Sequence, residues 1–379
     1  YGFMGGVMIV DLSTNKMIAN FDLQDYNVDP DDPFYHLAND IIIDSSGNAY
    51  VTDSFGGAIY KITYDSNNST MPYSMGLFSY TSEWQVPGYI FFDGLSMDPV
   101  NGEFILVNGW INNDIDNSLS PFFGGYSVMI KIPMDTPMKP KMCNYSNVVE
   151  LDRGFDGQIF SDDGMYLYVT GDMASAVYRF TSEDNWDTLT LEQVKTTQSV
   201  EPTAIALAAN GPYGTGVDES VYVSSAFFTF DAKPAYPIEL LDFSNSDSIV
   251  VAAFEIEVEI PINSYSLDDK LYYMKKDFLL PETMRYYSQN DLGFLTGSMG
   301  YGTIFQMIPS TTSNMTGNPL NFTVEEFYSN DILNFSAGFA IDLERDILFI
   351  CHANIKTFGS GLFQSPAPDN WTYGFMGGV

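Results

Sequence analysis

Few residues in this chain carry conventional catalytic chemistry. It has two histidines, His36 and His352, and two cysteines, Cys143 and Cys351, too few for a zinc cluster or a disulfide scaffold. No G-x-S-x-G, H-E-x-x-H or P-loop pattern occurs, which leaves no nucleophile elbow, zincin site or phosphate cradle to argue from. GPYGTG at 211–216 is glycine-rich but falls between two strand patterns. NVDPDDP at 27–33 lacks the ligand spacing of an EF-hand loop, leaving either loose calcium contact or simple hydration. Imidazole is the side chain most often used as a general base near neutral pH, so His36 is a catalytic candidate. For both histidines the competing reading is an ordinary core or surface imidazole.

A second kind of chemistry is modification. Seven N-x-S/T sequons are present, at Asn67, Asn68, Asn144, Asn314, Asn321, Asn334 and Asn370, and the expectation from them is N-linked glycans and an extracellular location. The formal charge is -34, from 49 acidic and 15 basic residues. Such a surface repels nucleic acid phosphates and anionic head groups, so neither is expected as a partner. No apolar run reaches the ~18 residues a membrane span needs, and the start lacks a basic n-region. The reading is a secreted protein with its signal removed and no membrane insertion.

The elements that position these residues are repeated. Residues 37–62, LANDIIIDSSGNAYVTDSFGGAIYKI, and 154–180, GFDGQIFSDDGMYLYVTGDMASAVYRF, share one order of parts. Each has a small polar lead, an alternating apolar strand, a turn with Asp and Gly, a strand ending in Tyr-Val-Thr, a short loop and a third strand. Period-two alternation between Gly- and Asp-bearing turns marks antiparallel meanders. A meander leaves an apolar face that only a neighbouring copy covers. Looser copies begin at FDGLSMD, EPTAIAL, LLPETMRYY and AGFAIDL. With Asp40, Asp93, Asp156, Thr203 and Phe339 as landmarks, the last interval is about twice the others and reads as two units.

The fold class expected is all-β, a single six-bladed β-propeller. Its blades fall at about 36–64, 90–133, 153–182, 199–260, 265–310, and 333–379 joined by 1–23. The sixth copy lacks a third strand, and GGVMIVDL, residues 5–12, supplies one of the right kind, followed by an outer strand to residue 23. An N-terminal strand is therefore expected to close the ring within the last blade. Cys143 and Cys351 then lie across the ring, too far apart to bridge. Cys351 within ILFIC reads as a core thiol, and Cys143 as a free or intermolecular one.

The same heptad opens and closes the sequence: Tyr1-Gly2-Phe3-Met4-Gly5-Gly6-Val7 recurs as Tyr373-Gly374-Phe375-Met376-Gly377-Gly378-Val379. Two copies of the lead into one closing strand point to strand exchange between identical subunits or adjacent repeats. The first expectation for function is accordingly an extracellular structural propeller, a unit of a head-to-tail filament or tandem array.

The stretches LANDIIIDSSGNAYVTDSFGGAIYKI and FDGQIFSDDGMYLYVTGDMASAVYRFTSEDNW resemble the gluconolactonase and senescence-marker-protein superfamily of six-bladed propellers, which is similar in turn to NHL-repeat propellers. The likeness covers mainly residues 36–210. It implies one divalent cation, usually calcium, held at the channel mouth by a Glu, two Asn and an Asp at inner-strand starts. Here the matching starts are Asn39, Asp93 and Asp156; blades four and six offer Thr203 and Ala337, and no matching Glu is found. The resemblance thus implies a secreted Ca²⁺-dependent lactonase or esterase as the second expectation, with His36 as base on a metal-bound water or ester. Against it stands the common use of Asp and Asn to cap turns through their own backbone.

Overall fold

A computed structural model of the chain describes residues 3–26, 35–54, 56–68, 70–80, 90–112, 125–146, 154–172, 174–197, 201–207, 219–225, 235–244, 248–255, 281–287, 293–298, 303–309, 322–330, 333 and 336–353. Apart from a four-residue 3-10 turn at Leu23–Tyr26, the regular structure among these residues is strand.

The chain begins with β1 (Phe3–Asp11), β2 (Lys16–Asp22) and the short β3 (Tyr35–His36), and then lays down blades in order. Blade one is β4 (Ala38–Ile43), β5 (Ala49–Asp53), β6 (Ala58–Tyr64) and β7 (Tyr73–Tyr80). Blade two is β8 (Ile90–Met97), β9 (Phe104–Asn112), β10 (Gly125–Pro133) and β11 (Lys141–Met142). Blade three takes β12 (Asn144–Ser146) at its outer edge beside β13 (Phe155–Phe160), β14 (Leu167–Gly171), β15 (Ala176–Thr181) and β16 (Thr188–Thr196). Blade four is β17 (Pro202–Leu207), β18 (Ser220–Ser225), β19 (Ala235–Asp242) and β20 (Ser248–Glu255). Blade five is β21 (Pro281–Tyr287), β22 (Gly293–Ser298), β23 (Thr303–Pro309) and β24 (Phe322–Ser329). Blade six contains β25 (Ser336–Asp342) and β26 (Ile347–Ala353), completed by β1 and β2 in the order β2-β1-β26-β25. The protein is an all-β, six-bladed propeller closed by its N-terminal strand.

Several blades run further than their sequence patterns. Blade one continues to Tyr80 instead of residue 64, blade three to Thr196 instead of 182, and blade five to Ser329 instead of 310. In each case the addition is an outer strand. Solvent reaches one side of β7 and β16, and this weakens the apolar pattern that marks the inner strands. Residues 265–280, assigned above to blade five, lie outside the described residues.

Core packing explains why β1 is the closing strand. Its residues Val7, Met8, Ile9 and Val10 are all fully buried, and successive side chains of a strand point to opposite faces. Val7 and Ile9 join Val51, Tyr60, Phe349 and Cys351 in the core between blades six and one. Met8 and Val10 join Leu295, Ile304, Leu348 and Ile350 in the core between blades five and six. Burial of such side chains is worth about 2 kcal/mol each, so this strand bonds two blade interfaces as well as one sheet. Its ladder with β26 runs from Gly5↔Ala353 to Asp11↔Ile347, and β2 pairs along its other edge.

Candidate functional site

The inner strands share a device. In every blade the ladder between first and second strand breaks at one place: between Ala38 and Ile41, Phe92 and Leu95, Phe155 and Gln158, Pro202 and Ala204, Pro281 and Met284, and Ser336 and Phe339. Such bulges leave residues unpaired and re-aim them. The residues so released are Asn39 and Asp40, Asp93 and Gly94, Asp156 and Gly157, Thr203, Glu282 and Thr283, and Ala337 and Gly338. By register, Asn39, Asp93, Asp156, Thr203, Glu282 and Ala337 occupy corresponding positions around the ring. Glu282 is the carboxylate that residue types alone do not reveal, because blade five is the weakest copy. Its signal is the register of LPETM against LANDI.

Asn39, Asp93, Asp156 and Thr203 line one cleft, with Asp40, Thr283 and Arg285. The space open to a water-sized sphere is about 10 Å³, room for about one water molecule. Asp40 is the hub. Its Oδ1 accepts hydrogen bonds from Arg285 Nη2 at 2.7 Å and from the Ile41 amide at 2.8 Å, and its Oδ2 accepts from the Leu95 amide at 3.3 Å. One carboxylate thus ties blades one, two and five. Asn39 Nδ2 donates to Ser54 Oγ at 3.0 Å, and Ser54 Oγ donates to the Phe92 carbonyl at 2.6 Å. Asn108 Nδ2 donates to the Asp156 carbonyl at 2.5 Å and joins blade two to blade three. Burial pushes the Asp93 carboxyl well above its ordinary range, assisted by the negative charges of Asp40 and Asp172 and opposed by a hydrogen bond from Asn39. The cleft therefore combines a carboxyl whose burial favours its protonated form with a fixed ion pair.

The oxygen donors present do not fit a calcium ion. Ca²⁺ takes six to eight oxygens in an anionic cage, whereas here Arg285 brings a guanidinium into the cleft and engages one of the carboxylates. Among the described residues, no three His, Cys, Asp or Glu side chains are grouped to hold a metal.

His36 is placed elsewhere. It sits in β3, which pairs in parallel with β1 through Phe3↔Tyr35 and Met4↔His36. Its Nδ1 lies 2.5 Å from Asp53 Oδ2, with both side chains buried. Asp53 Oδ1 also accepts the Leu37 and Gly56 amides at 3.0 and 3.1 Å. His36 thus fixes the start of blade one beside the closing strand. His352, in β26, is held by Asn20 Oδ1 at 2.7 Å from its Nε2, and burial lowers its pKa to about 4.

The closing strand sits in a tight slot. A Cβ built on Gly5 would meet the His36 carbonyl oxygen at 2.7 Å and the Ala38 nitrogen at 2.8 Å. One built on Gly6 would meet the Phe21 carbonyl oxygen at 2.5 Å and the His352 ring at 3.0 Å. Most of these obstacles are backbone, which yields least, so the slot is built for the Gly-Gly of the heptad. Tyr1, Gly2 and the second copy, Tyr373 to Val379, lie outside the described residues.

Of the sequons, Asn67 and Asn68 lie in an exposed turn after β6, while Asn144 is exposed in β12 with its Ser146 hydroxyl 2.7 Å from Thr190 Oγ1. Asn314, Asn321, Asn334 and Asn370 fall outside the described residues. Cys143 is buried, its Sγ donating to the Trp186 carbonyl at 3.3 Å.

No family model matches the sequence, and no curated protein does. Among solved structures, the chain is similar to a streptogramin B lyase at 11% identity, covering 93% of this chain and 90% of that one with a TM-score of 0.48. It is similar to a virginiamycin B lyase from Staphylococcus aureus at 15% identity, with coverage of 92% and 87% and a TM-score of 0.44. A protein described as a 6-phosphogluconolactonase from Bacteroides uniformis gives 13% identity, coverage of 84% and 76%, and a TM-score of 0.44. Likeness at this level says nothing about chemistry.

Proposed function

We propose that this propeller is an extracellular, N-glycosylated structural unit that joins identical copies, or adjacent repeats, by exchange of its YGFMGGV segments. The second copy of the segment in one unit takes the place that the first copy holds in blade six of another. The observation that carries this reading is the fit of the slot: Gly5 and Gly6 are each pressed against neighbouring groups that leave no room for a Cβ, and the chain carries the same Gly-Gly in the same context as Gly377 and Gly378.

The incoming Phe375 to Val379 repeats Phe3 to Val7 residue for residue, and so can restore the pairs that Gly5, Gly6 and Val7 make with β26. Tether length and concentration bear on which copy fills that stretch. Residues 354–372 span at most about 65 Å when extended, enough to reach a neighbouring ring. A charge of -34 keeps such an assembly hydrated and resists lateral clumping. The sequons and the acidic surface support the extracellular placement.

The experiment is sedimentation velocity of the full chain over a concentration series, with Gly378→Val in parallel and a panel of small lactones and aryl esters assayed on the same samples. Association of the wild type that the variant lacks supports the proposal. A monomer at all concentrations, or association that survives Gly378→Val, contradicts it. Turnover of a lactone would favour the hydrolase reading.

A further inference from the structure

The cleft where the resemblance implies a metal contains a cation already. We propose that Arg285 is the resident cation of the channel, its guanidinium cross-linking the inner strands in place of a divalent ion, so that the ring is complete without calcium. The argument rests on the chemistry of the residues there. Asp93 and Asp156 come from blades two and three, Asp40 from blade one and Arg285 from blade five. Asp40 is buried, 6% exposed, and a buried anion requires a counter-charge. Arg285 supplies it at 2.7 Å from Asp40. Its own neighbour Tyr287 extends the tie, the phenol oxygen accepting the Ile341 amide of blade six at 3.0 Å. A guanidinium suits this role because it is planar, permanently charged and fixed in direction, and because it cannot be lost to a chelator. A divalent ion entering beside it would meet a like charge at close range in a medium of low dielectric.

Replacing Arg285 by a neutral side chain should therefore leave the Asp40 carboxylate buried without its counter-charge.

The test is calcium titration by calorimetry and by Tb³⁺ luminescence on the full-length wild type, on Arg285→Met, and on each with Asp156→Asn added. The wild type is expected to show no saturable site that depends on Asp156, and its melting temperature should not respond to EDTA. Arg285→Met is expected to melt lower, at a temperature that EDTA does not change. Arg285→Lys keeps a positive charge and is expected to melt between the two; it serves if the Met variant does not fold. One calcium per wild-type chain, lost with Asp156→Asn, would overturn the proposal. So would an Arg285→Met chain that melts with the wild type.

Discussion

Gly5 lies so close to His36 that a Cβ added to the glycine would stand 2.7 Å from the histidine's carbonyl oxygen. That contact makes the closing strand selective. β1 runs between β26 on one side and β2 on the other, and its first residues also pair in parallel with β3. A side chain at Gly5 or Gly6 has to push backbone aside.

Substitutions in the slot should show this directly. Gly5→Ala and Gly6→Ala are each expected to lower stability by about 1–3 kcal/mol, the usual cost of overpacking, read as a reduced urea midpoint. Gly76 in β7 is the control, because a Cβ there meets nothing within 4 Å. Gly76→Ala should be neutral or stabilising by less than ~1 kcal/mol. Equal losses at all three positions would mean that strand propensity, and not the slot, sets the effect.

Asp172 gives a pH dependence with a definite sign. Burial, with the charge of Glu201 beside it, pushes its carboxyl up to about 7, and its Oδ1 has no hydrogen-bond partner. The folded state thus favours the protonated form. Its contribution is complete below the ordinary value of 3.8 and is lost as pH rises through about 7. His352, lowered to about 4 by burial, acts in the opposite sense as pH falls, so the comparison must be with a variant. Stability of Asp172→Asn relative to wild type should rise with pH between these limits, by at most ~1.4 kcal/mol per unit, in denaturant melts at fixed ionic strength. A difference independent of pH would show that Asp172 titrates normally.

Thiol chemistry should be absent from the native surface. Cys143 and Cys351 are both buried, and desolvation pushes the Cys143 thiol up to about 12 and also raises that of Cys351. A thiol held protonated is a poor nucleophile. An Ellman assay should find both cysteines unreactive in buffer and both reactive in guanidinium. A fast native thiol would restore Cys143 as a cross-linking residue.

Much of the ring is legible in the sequence, for physical reasons. Inner strands such as YVTD and LYVTG are buried on both faces and so read as apolar runs between Asp and Gly turns. The closing strand is legible because Val7 to Val10 must bury four successive side chains, and only a strand between two blades does that. The outer strands are harder, since β7 alternates weakly between core and solvent. At the site, Asn39, Asp93 and Asp156 are found by their place before an apolar run. Arg285 is not, because a charged residue in a weakly patterned strand looks like surface until the ring brings it to Asp40, 245 positions away in sequence. The size of the cleft is likewise a property of the closed ring.

The central claim is that the second heptad can enter the slot that the first one fills. Sedimentation velocity of the full chain against Gly378→Val tests it most directly. The valine would stand where Gly6 meets the Phe21 carbonyl oxygen, so the second heptad of the variant cannot seat while the first remains intact. The account predicts concentration-dependent association of the wild type and a single monomeric boundary for the variant. Identical behaviour of the two proteins, whether both associate or both remain monomeric, would contradict it.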